Sequence, residues 1–202
     1  MGFYRTQRHQ WRDWNPGLDN DHLTLGYCLD SLPAVEASSI PWFVRLIENP
    51  SSPVALPGAI TLERHDAIHV LLGRGLLAQD EAFVIGFTMG TASRIRDYHR
   101  KLFHWFARYL YRPPYRLTED DLLIFDLGFG FGQEQRTRDY HMVPIEDFRD
   151  EPLVDLRNRL GLSVLKLHAL YNHEKTLIPD SDASQRLDLD WKGQDPSALW
   201  PE

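Results

Sequence analysis

The hydrophobic positions of this chain follow helical spacing in most segments, and helix start and stop signals separate those segments. Segment 59–73, for example, carries apolar residues at Ile60, Ile68 and Leu72, and a glycine at 73 or 75 ends it. The predicted helices span 23–37, 39–48, 59–73, 79–111, 118–132, 150–161 and, as a short element, 163–173. This set of elements predicts an all-α fold.

The glycine-rich run at 122–132 allows two interpretations. A strand leading into a dinucleotide-binding loop needs glycines spaced G-x-G-x-x-G, whereas Gly128, Gly130 and Gly132 are spaced G-x-G-x-G. A threonine at 118 followed by three acidic residues is a helix-capping signal. We therefore favour a helix whose glycines permit close contact with another helix, and the nucleotide loop is the alternative.

Length and composition favour a single domain. The chain has 202 residues, of which 43% are hydrophobic and 25% charged, as is usual for one globular domain. Outside the predicted helices, residues 1–21 are expected to form a loose N-terminal arm and residues 179–202 a loose, polar C-terminal tail. We interpret 1–202 as one helical domain.

Charge and cysteine content restrict the partners and the compartment. The formal net charge of −7 argues against a nucleic-acid partner. The single cysteine, Cys28, cannot close an intrachain disulfide, so the chain needs no oxidising compartment. The nearly apolar run at 82–92 is shorter than the roughly 20 residues that cross a bilayer. The expectation is a cytoplasmic protein that can still lie on a membrane surface.

Two histidines in the predicted helix at 59–73 indicate a metal site. His65 and His69 are four residues apart, which places both imidazoles on one helix face within reach of one ion. Asp66, offset by about 100°, could bind from the side or accept an imidazole N–H. Glu81 begins the next helix and can face back toward the histidines. This donor set favours a divalent metal, zinc before iron or manganese; the alternative is a histidine pair without an ion.

Segment 94–112 combines basic and aromatic residues in an otherwise acidic chain. The basic residues are Arg94, Arg96, Arg100, Lys101, Arg108 and Arg112. The apolar residues interleaved with them are Tyr98, Leu102, Phe103, Trp105, Phe106, Tyr109 and Leu110. Such a helix is typical of contact with an anionic membrane surface or a phosphate-bearing lipid. The alternative is a core helix with one solvated basic face.

The metal motif also resembles a known family. The pattern H-D-x-x-H, followed after eleven residues by Glu, consists of His65, Asp66, His69 and Glu81. It resembles the motif of the coenzyme Q biosynthesis protein 4 family, and segments 70–73 and 151–161 are similar as well, so that the resemblance covers 60–162. Asp80 departs from the glycine usual before the motif glutamate. Residues 1–50 and 163–202 show no clear match.

The resemblance implies a role in the synthesis of ubiquinone-type prenyl quinones. It implies zinc bound by the four motif residues, and a prenylated quinone precursor or prenyl lipid as ligand. One interpretation is an enzyme that oxidatively removes the carboxylate at ring C1, with Arg94 or Arg96 as partner of that carboxylate. The other is a non-enzymatic scaffold that organises other quinone-biosynthesis enzymes, with a structural metal. Attachment to the inner face of a bacterial membrane is expected in either case, and the oligomeric state is left open, with a homodimer as one alternative.

Overall fold

The computed structural model describes residues 12–33, 57–58, 60–110 and 116–187. Within these ranges the chain forms helices and no strand, and its β-type pairing is an isolated bridge between Thr24 and Pro152. The all-α prediction is therefore confirmed. None of the helices in these ranges is long and apolar enough to cross a membrane.

The helices vary from one to four turns. They are α1 (Leu25–Asp30), α2 (Leu62–Leu72), α3 (Ala78–Thr91), α4 (Asp97–Trp105), α5 (Glu119–Gln133), α6 (Leu153–Leu160), α7 (Val164–Leu177) and α8 (Asp182–Arg186). A π-helical turn, Phe106–Leu110, continues α4, and two short 3₁₀ turns, Tyr140–Met142 and Ile145–Phe148, lie between α5 and α6. The helix predicted at 39–48 lies outside the described residues.

Several helix ends lie where local signals predicted them. The Thr118 side chain accepts a hydrogen bond from the backbone N–H of Asp121 at 3.1 Å and caps α5. Gly73 ends α2 and Gly161 ends α6, both in the left-handed conformation that glycine adopts without strain. Two lengths differ from the prediction, because α1 stops at Asp30 and α7 continues to Leu177.

The prediction of one helix over 79–111 is wrong, because α3 and α4 are separate. Ala92 is extended, with φ −64° and ψ 125°. The Asp139 carboxylate accepts hydrogen bonds from the backbone N–H and the hydroxyl of Ser93, at 2.7 and 2.6 Å. The Arg138 guanidinium donates to the Ala92 carbonyl at 3.2 Å. These partners from a distant part of the chain satisfy backbone groups that a continuous helix would have paired internally.

Helices α3 and α5 pack with their backbones in contact. A Cβ would overlap a main-chain carbonyl oxygen of the facing helix at four glycines: Gly86, Gly90, Gly128 and Gly132. Gly130 differs, since no atom lies within 4 Å of the position that its Cβ would take. The predicted close helix contact is confirmed for Gly128 and Gly132, and the dinucleotide-loop alternative is wrong because this run is helical.

The described parts of both terminal segments pack on the main core. Residues 14–17 are irregular, as expected, but Trp14 and Leu18 are buried among the core residues. In the predicted tail, α8 buries Ala183, and Leu187 joins the core. The Trp14 carbonyl, Leu18 and Arg186 lie against the turn between α2 and α3, so both segments help to enclose the candidate site.

Candidate metal centre

The turn between α2 and α3 brings three side chains to one point. His65 Nε2 lies 2.8 Å from His69 Nε2 and 3.0 Å from Glu81 Oε2, and His69 Nε2 lies 3.5 Å from the same oxygen. Zinc bonds of about 2.0–2.1 Å at tetrahedral angles separate ligand atoms by about 3.3 Å. The observed separations bracket that value, so shifts of about half an ångström would accommodate an ion.

The orientation of His69 leaves one ring nitrogen available as a ligand. Its Nδ1 lies 2.8 Å from the carbonyl oxygen of Gly75. A carbonyl oxygen only accepts hydrogen bonds, so Nδ1 carries the proton and Nε2 of the neutral ring carries a lone pair. That Nε2 faces His65 and Glu81. Metal-binding histidines are commonly oriented in this way by a carbonyl on the far side of the ring.

Burial and charge distinguish the carboxylate from the histidines. His69 is fully buried and His65 nearly so, whereas the Glu81 side chain keeps 25% of its surface exposed. Burial raises the pKa of Glu81, but positive charge on His69 and His65, when those rings are protonated, outweighs burial and holds that pKa below its usual range. Glu81 is therefore an anionic ligand at neutral pH, on the side of the cluster that solvent can reach.

The same three groups can also be satisfied without an ion. A proton on His65 Nε2 could be donated to Glu81 or to His69, which gives an ordinary buried hydrogen-bonded cluster. A single proton can join only two of the three converging acceptor atoms and leaves the third without a donor, whereas a divalent cation can contact all three. The arrangement therefore suits metal binding better than a hydrogen-bonded cluster.

The structure does not bring Asp66 into the cluster. Among the described residues, the group whose ligand atoms lie within 4.8 Å of one another consists of His65, His69 and Glu81. Asp66 is offset by about 100° from His65 and by about 60° from His69, at the edge of the face that carries the histidines, and its carboxylate lies outside this group. Three of the four predicted ligands therefore converge in this structure, and binding by Asp66 stays a prediction.

The two arginines predicted to assist at the metal lie at the other end of α3. Arg94 and Arg96 are exposed and follow the last turn of that helix, whereas Glu81 lies in its first turn. At about 1.5 Å of rise per residue, roughly 15 Å separates Glu81 from the helix end at Thr91. Neither arginine is placed to contact a group bound at the histidines.

Sequence analysis missed a buried ion pair behind the site. Arg74 and Glu174 are both fully buried and form a two-pronged hydrogen-bonded pair, with Nη1 2.9 Å from Oε1. The Arg74 guanidinium also lies over the rings of Phe83 and Tyr171, at 4.0 and 4.1 Å from their centroids. The partners are far apart in sequence, and no local pattern distinguishes them from solvated charges.

An exposed apolar stripe runs along α4 and its π-helical continuation. Tyr98, Leu102, Trp105 and Tyr109 recur at spacings of four, three and four, and each is between 37% and 62% exposed. Two of the predicted basic residues near this stripe are paired with carboxylates of α5. Arg100 lies 3.0 Å from Asp126, and Arg108 pairs with Glu119. Arg112 lies outside the described residues.

Comparisons of the chain with protein-family models, with curated protein sequences and with solved structures found no match. The geometry of His65, His69 and Glu81 is therefore the observation from which a function can be inferred.

Proposed function

We propose that His65, His69 and Glu81 hold one divalent metal ion, with zinc preferred, and leave a coordination position open. The observation that carries the proposal is the convergence of two imidazole nitrogens and one carboxylate oxygen within 3.5 Å of one another. Catalytic zinc sites use this donor set of two histidines and one glutamate, with water or substrate as a further ligand.

The number of ligands favours a site that binds a substrate over a structural site. Structural zinc is held by four protein ligands in a closed tetrahedron, whereas catalytic zinc keeps a position for water or substrate. Within the described residues three ligands converge, and the partly exposed Glu81 marks the side from which a small molecule can approach. Asp66, which the family resemblance adds as a ligand, is not needed for this arrangement.

The substrate class comes from the resemblance of H-D-x-x-H and Glu81 to the coenzyme Q biosynthesis protein 4 family. We propose that the site binds the aromatic ring of a prenylated quinone precursor through its carboxylate or phenolate oxygen. A bound cation stabilises negative charge at such an oxygen. Oxidative removal of a ring carboxylate needs an external oxidant such as dioxygen whichever ion is bound, because zinc has no redox chemistry and bound iron or manganese would itself have to be reoxidised in each turnover.

The alternative function is a non-enzymatic one. In that case the ion is structural, and the domain presents a prenyl lipid to other quinone-biosynthesis enzymes. The two functions differ in what the metal does for folding. The free energy of binding a structural ion is part of the folding free energy, so losing the ion destabilises the fold.

The test is Glu81→Gln, which removes the charge and keeps the volume. We expect cells whose only copy carries this change to lose most of their quinone, while the purified variant melts within a few degrees of the wild type. Glu134→Gln is the matched control, because Glu134 is an exposed carboxylate outside the cluster. A strong fall in melting temperature would support a structural ion, and native quinone content would refute a role for this site.

The apolar stripe on α4 supports a second proposal, which is peripheral binding to an anionic membrane surface. Tyrosine and tryptophan side chains are favoured at the membrane interface, where an apolar ring and a polar edge are both accommodated. Lys101, Arg94 and Arg96 are exposed near the stripe, although the chain as a whole is acidic. Anionic lipids are concentrated in the cytoplasmic leaflet, so this face fits the inner surface of the membrane.

Trp105→Ala should weaken binding to vesicles that contain anionic lipid by about tenfold, since burying a large aromatic side chain contributes about 1.5–3 kcal/mol at most. Lys101→Glu should also weaken it, by about 1 kcal/mol for each unit of charge changed near the surface, and should make the remaining binding less sensitive to salt. The control is Leu165→Ala, which truncates a strongly exposed apolar residue on α7. Equal sedimentation of all variants with neutral and anionic vesicles would refute membrane binding by this stripe.

A further inference from the structure

The carbonyl of Gly75 decides which nitrogen of His69 faces the cluster. It accepts the proton of Nδ1 at 2.8 Å, and the peptide that carries it lies in the turn between α2 and α3. His69 itself is on α2, so its ring is oriented by a group that the helix does not fix. A shift of this turn would remove the acceptor and leave the imidazole free to rotate.

The backbone of Gly75 is enclosed on both sides. A Cβ at this residue would lie 2.7 Å from the Trp14 carbonyl oxygen and 3.0 Å from Oδ2 of Asp80. Distances this short leave no space for a side chain, so the peptide is confined between the N-terminal segment and the start of α3. The position of the carbonyl therefore depends on Asp80 keeping its place.

Asp80 is held by charged and polar groups from two parts of the chain, the turn that precedes α3 and helix α8. Its Oδ2 accepts hydrogen bonds from the Leu77 backbone N–H and from Arg186 Nη2, both at 3.1 Å. Its Oδ1 lies 3.6 Å from Arg74 Nη1. Arg186 belongs to α8, and its other Nη atom donates to the Arg12 carbonyl. Asp80 is 2% exposed, so these contacts lie in a region with little water to replace them.

We infer that Asp80 and Arg186 are positioning residues for the metal ligand His69. Together they hold the turn so that the Gly75 carbonyl stays on His69 Nδ1 and Nε2 points at the ion. This inference rests on the proposed metal site, and it adds to that site a residue more than one hundred positions away in sequence. Neither residue contacts the ion, and each acts through the backbone of Gly75.

The experiment compares Arg186→Gln and Asp80→Asn with the wild type by two measurements. The first is the NMR signal of the His69 Nδ1 proton in the metal-free protein, assigned by its loss in His69→Gln. The second is zinc affinity measured by competition with a chelator. Arg159→Gln is the control, because it breaks an arginine–carboxylate pair, at 2.8 Å from Glu151, on a different surface.

We expect Arg186→Gln and Asp80→Asn to shift or lose the Nδ1 proton signal and to bind zinc about 10–100 times more weakly, the usual effect of losing a group that orders a ligand. Arg186→Lys, which keeps the charge, should recover part of both, and Arg159→Gln should match the wild type. A loss of folding stability alone would not shift the Nδ1 proton signal, and it would not explain a partial recovery of that signal in Arg186→Lys.

The inference is overturned if both variants keep the signal and the affinity, or if affinity falls while the signal is unchanged. It is also overturned if the metal-free wild type lacks the Nδ1 proton signal. If Arg186→Gln fails to fold, the signal and the zinc affinity of Asp80→Asn decide the question, because this substitution changes the side-chain volume least. Wild-type protein that binds no zinc would refute the metal proposal, whereas the proton signals would still decide whether Asp80 and Arg186 orient His69.

Discussion

Substitution of His69 by alanine is expected to remove nearly all metal from the purified protein, which in the wild type should carry about one ion per chain. The physical reason is the loss of one of three converging ligand atoms, so the fall in affinity should exceed the 10–100-fold typical of an outer-sphere change. The substitution also leaves the Gly75 carbonyl without its donor in a buried turn. Metal analysis of the protein as purified and after zinc reconstitution measures the effect.

Asp66→Asn is the informative comparison, because the residue adjoins His65 but its carboxylate lies outside the cluster. We expect this variant to retain metal near the wild-type level. Loss of metal in Asp66→Asn would show that the ion recruits a fourth protein ligand, as the family resemblance implies, and that its coordination is closed. Equal and sub-stoichiometric metal in the wild type and in His69→Ala would refute the site itself.

The second large effect is expected where α3 and α5 touch. Gly128→Ala should lower the free energy of unfolding by about 1–3 kcal/mol, because the new methyl group overlaps the Phe83 carbonyl and forces the helices apart. Gly130→Ala should instead raise it by about 0.5–1 kcal/mol, since the same helix gains a better helix former and nothing obstructs the methyl group. Urea unfolding of the two variants measures the difference.

This pair is closely matched, since the two glycines lie two residues apart in one helix and receive the same methyl group. Similar free energies of unfolding for both variants would contradict the close packing of α3 against α5. Gly128 also lies opposite Phe83, two residues after the ligand Glu81. We therefore expect zinc affinity to fall in Gly128→Ala and to stay near the wild-type value in Gly130→Ala.

The helical class and several helix ends could be predicted from sequence because the interactions that specify them are local. Thr118 caps α5 through a residue three positions away, and Gly73 ends α2 through its own left-handed backbone. The histidine half of the site is equally local. Residues four apart on a helix share a face, so His65 and His69 had to lie together once α2 formed.

The rest of the site depends on contacts between distant residues. Glu81 meets the histidines because the turn after Gly73 returns the first turn of α3 to the histidine face of α2. That turn is held by Arg74, by Asp80 and by α8, a helix within the segment that the sequence predicts to be a loose tail. The sequence pattern indicated a carboxylate near the histidines, but it also included Asp66, whose carboxylate is not part of the cluster in the folded chain.

Tertiary structure also decided where α3 ends. Hydrophobic spacing continues through 92–96, but Asp139 and Arg138 bind the backbone there and separate α3 from α4. The length of α3 already separates Arg94 and Arg96 from the histidines, and the break gives α4 its own direction, with its aromatic stripe exposed. Local hydrogen bonds and helical periodicity can be predicted from neighbouring residues, whereas buried ion pairs and backbone contacts depend on which distant residues the folded chain brings together.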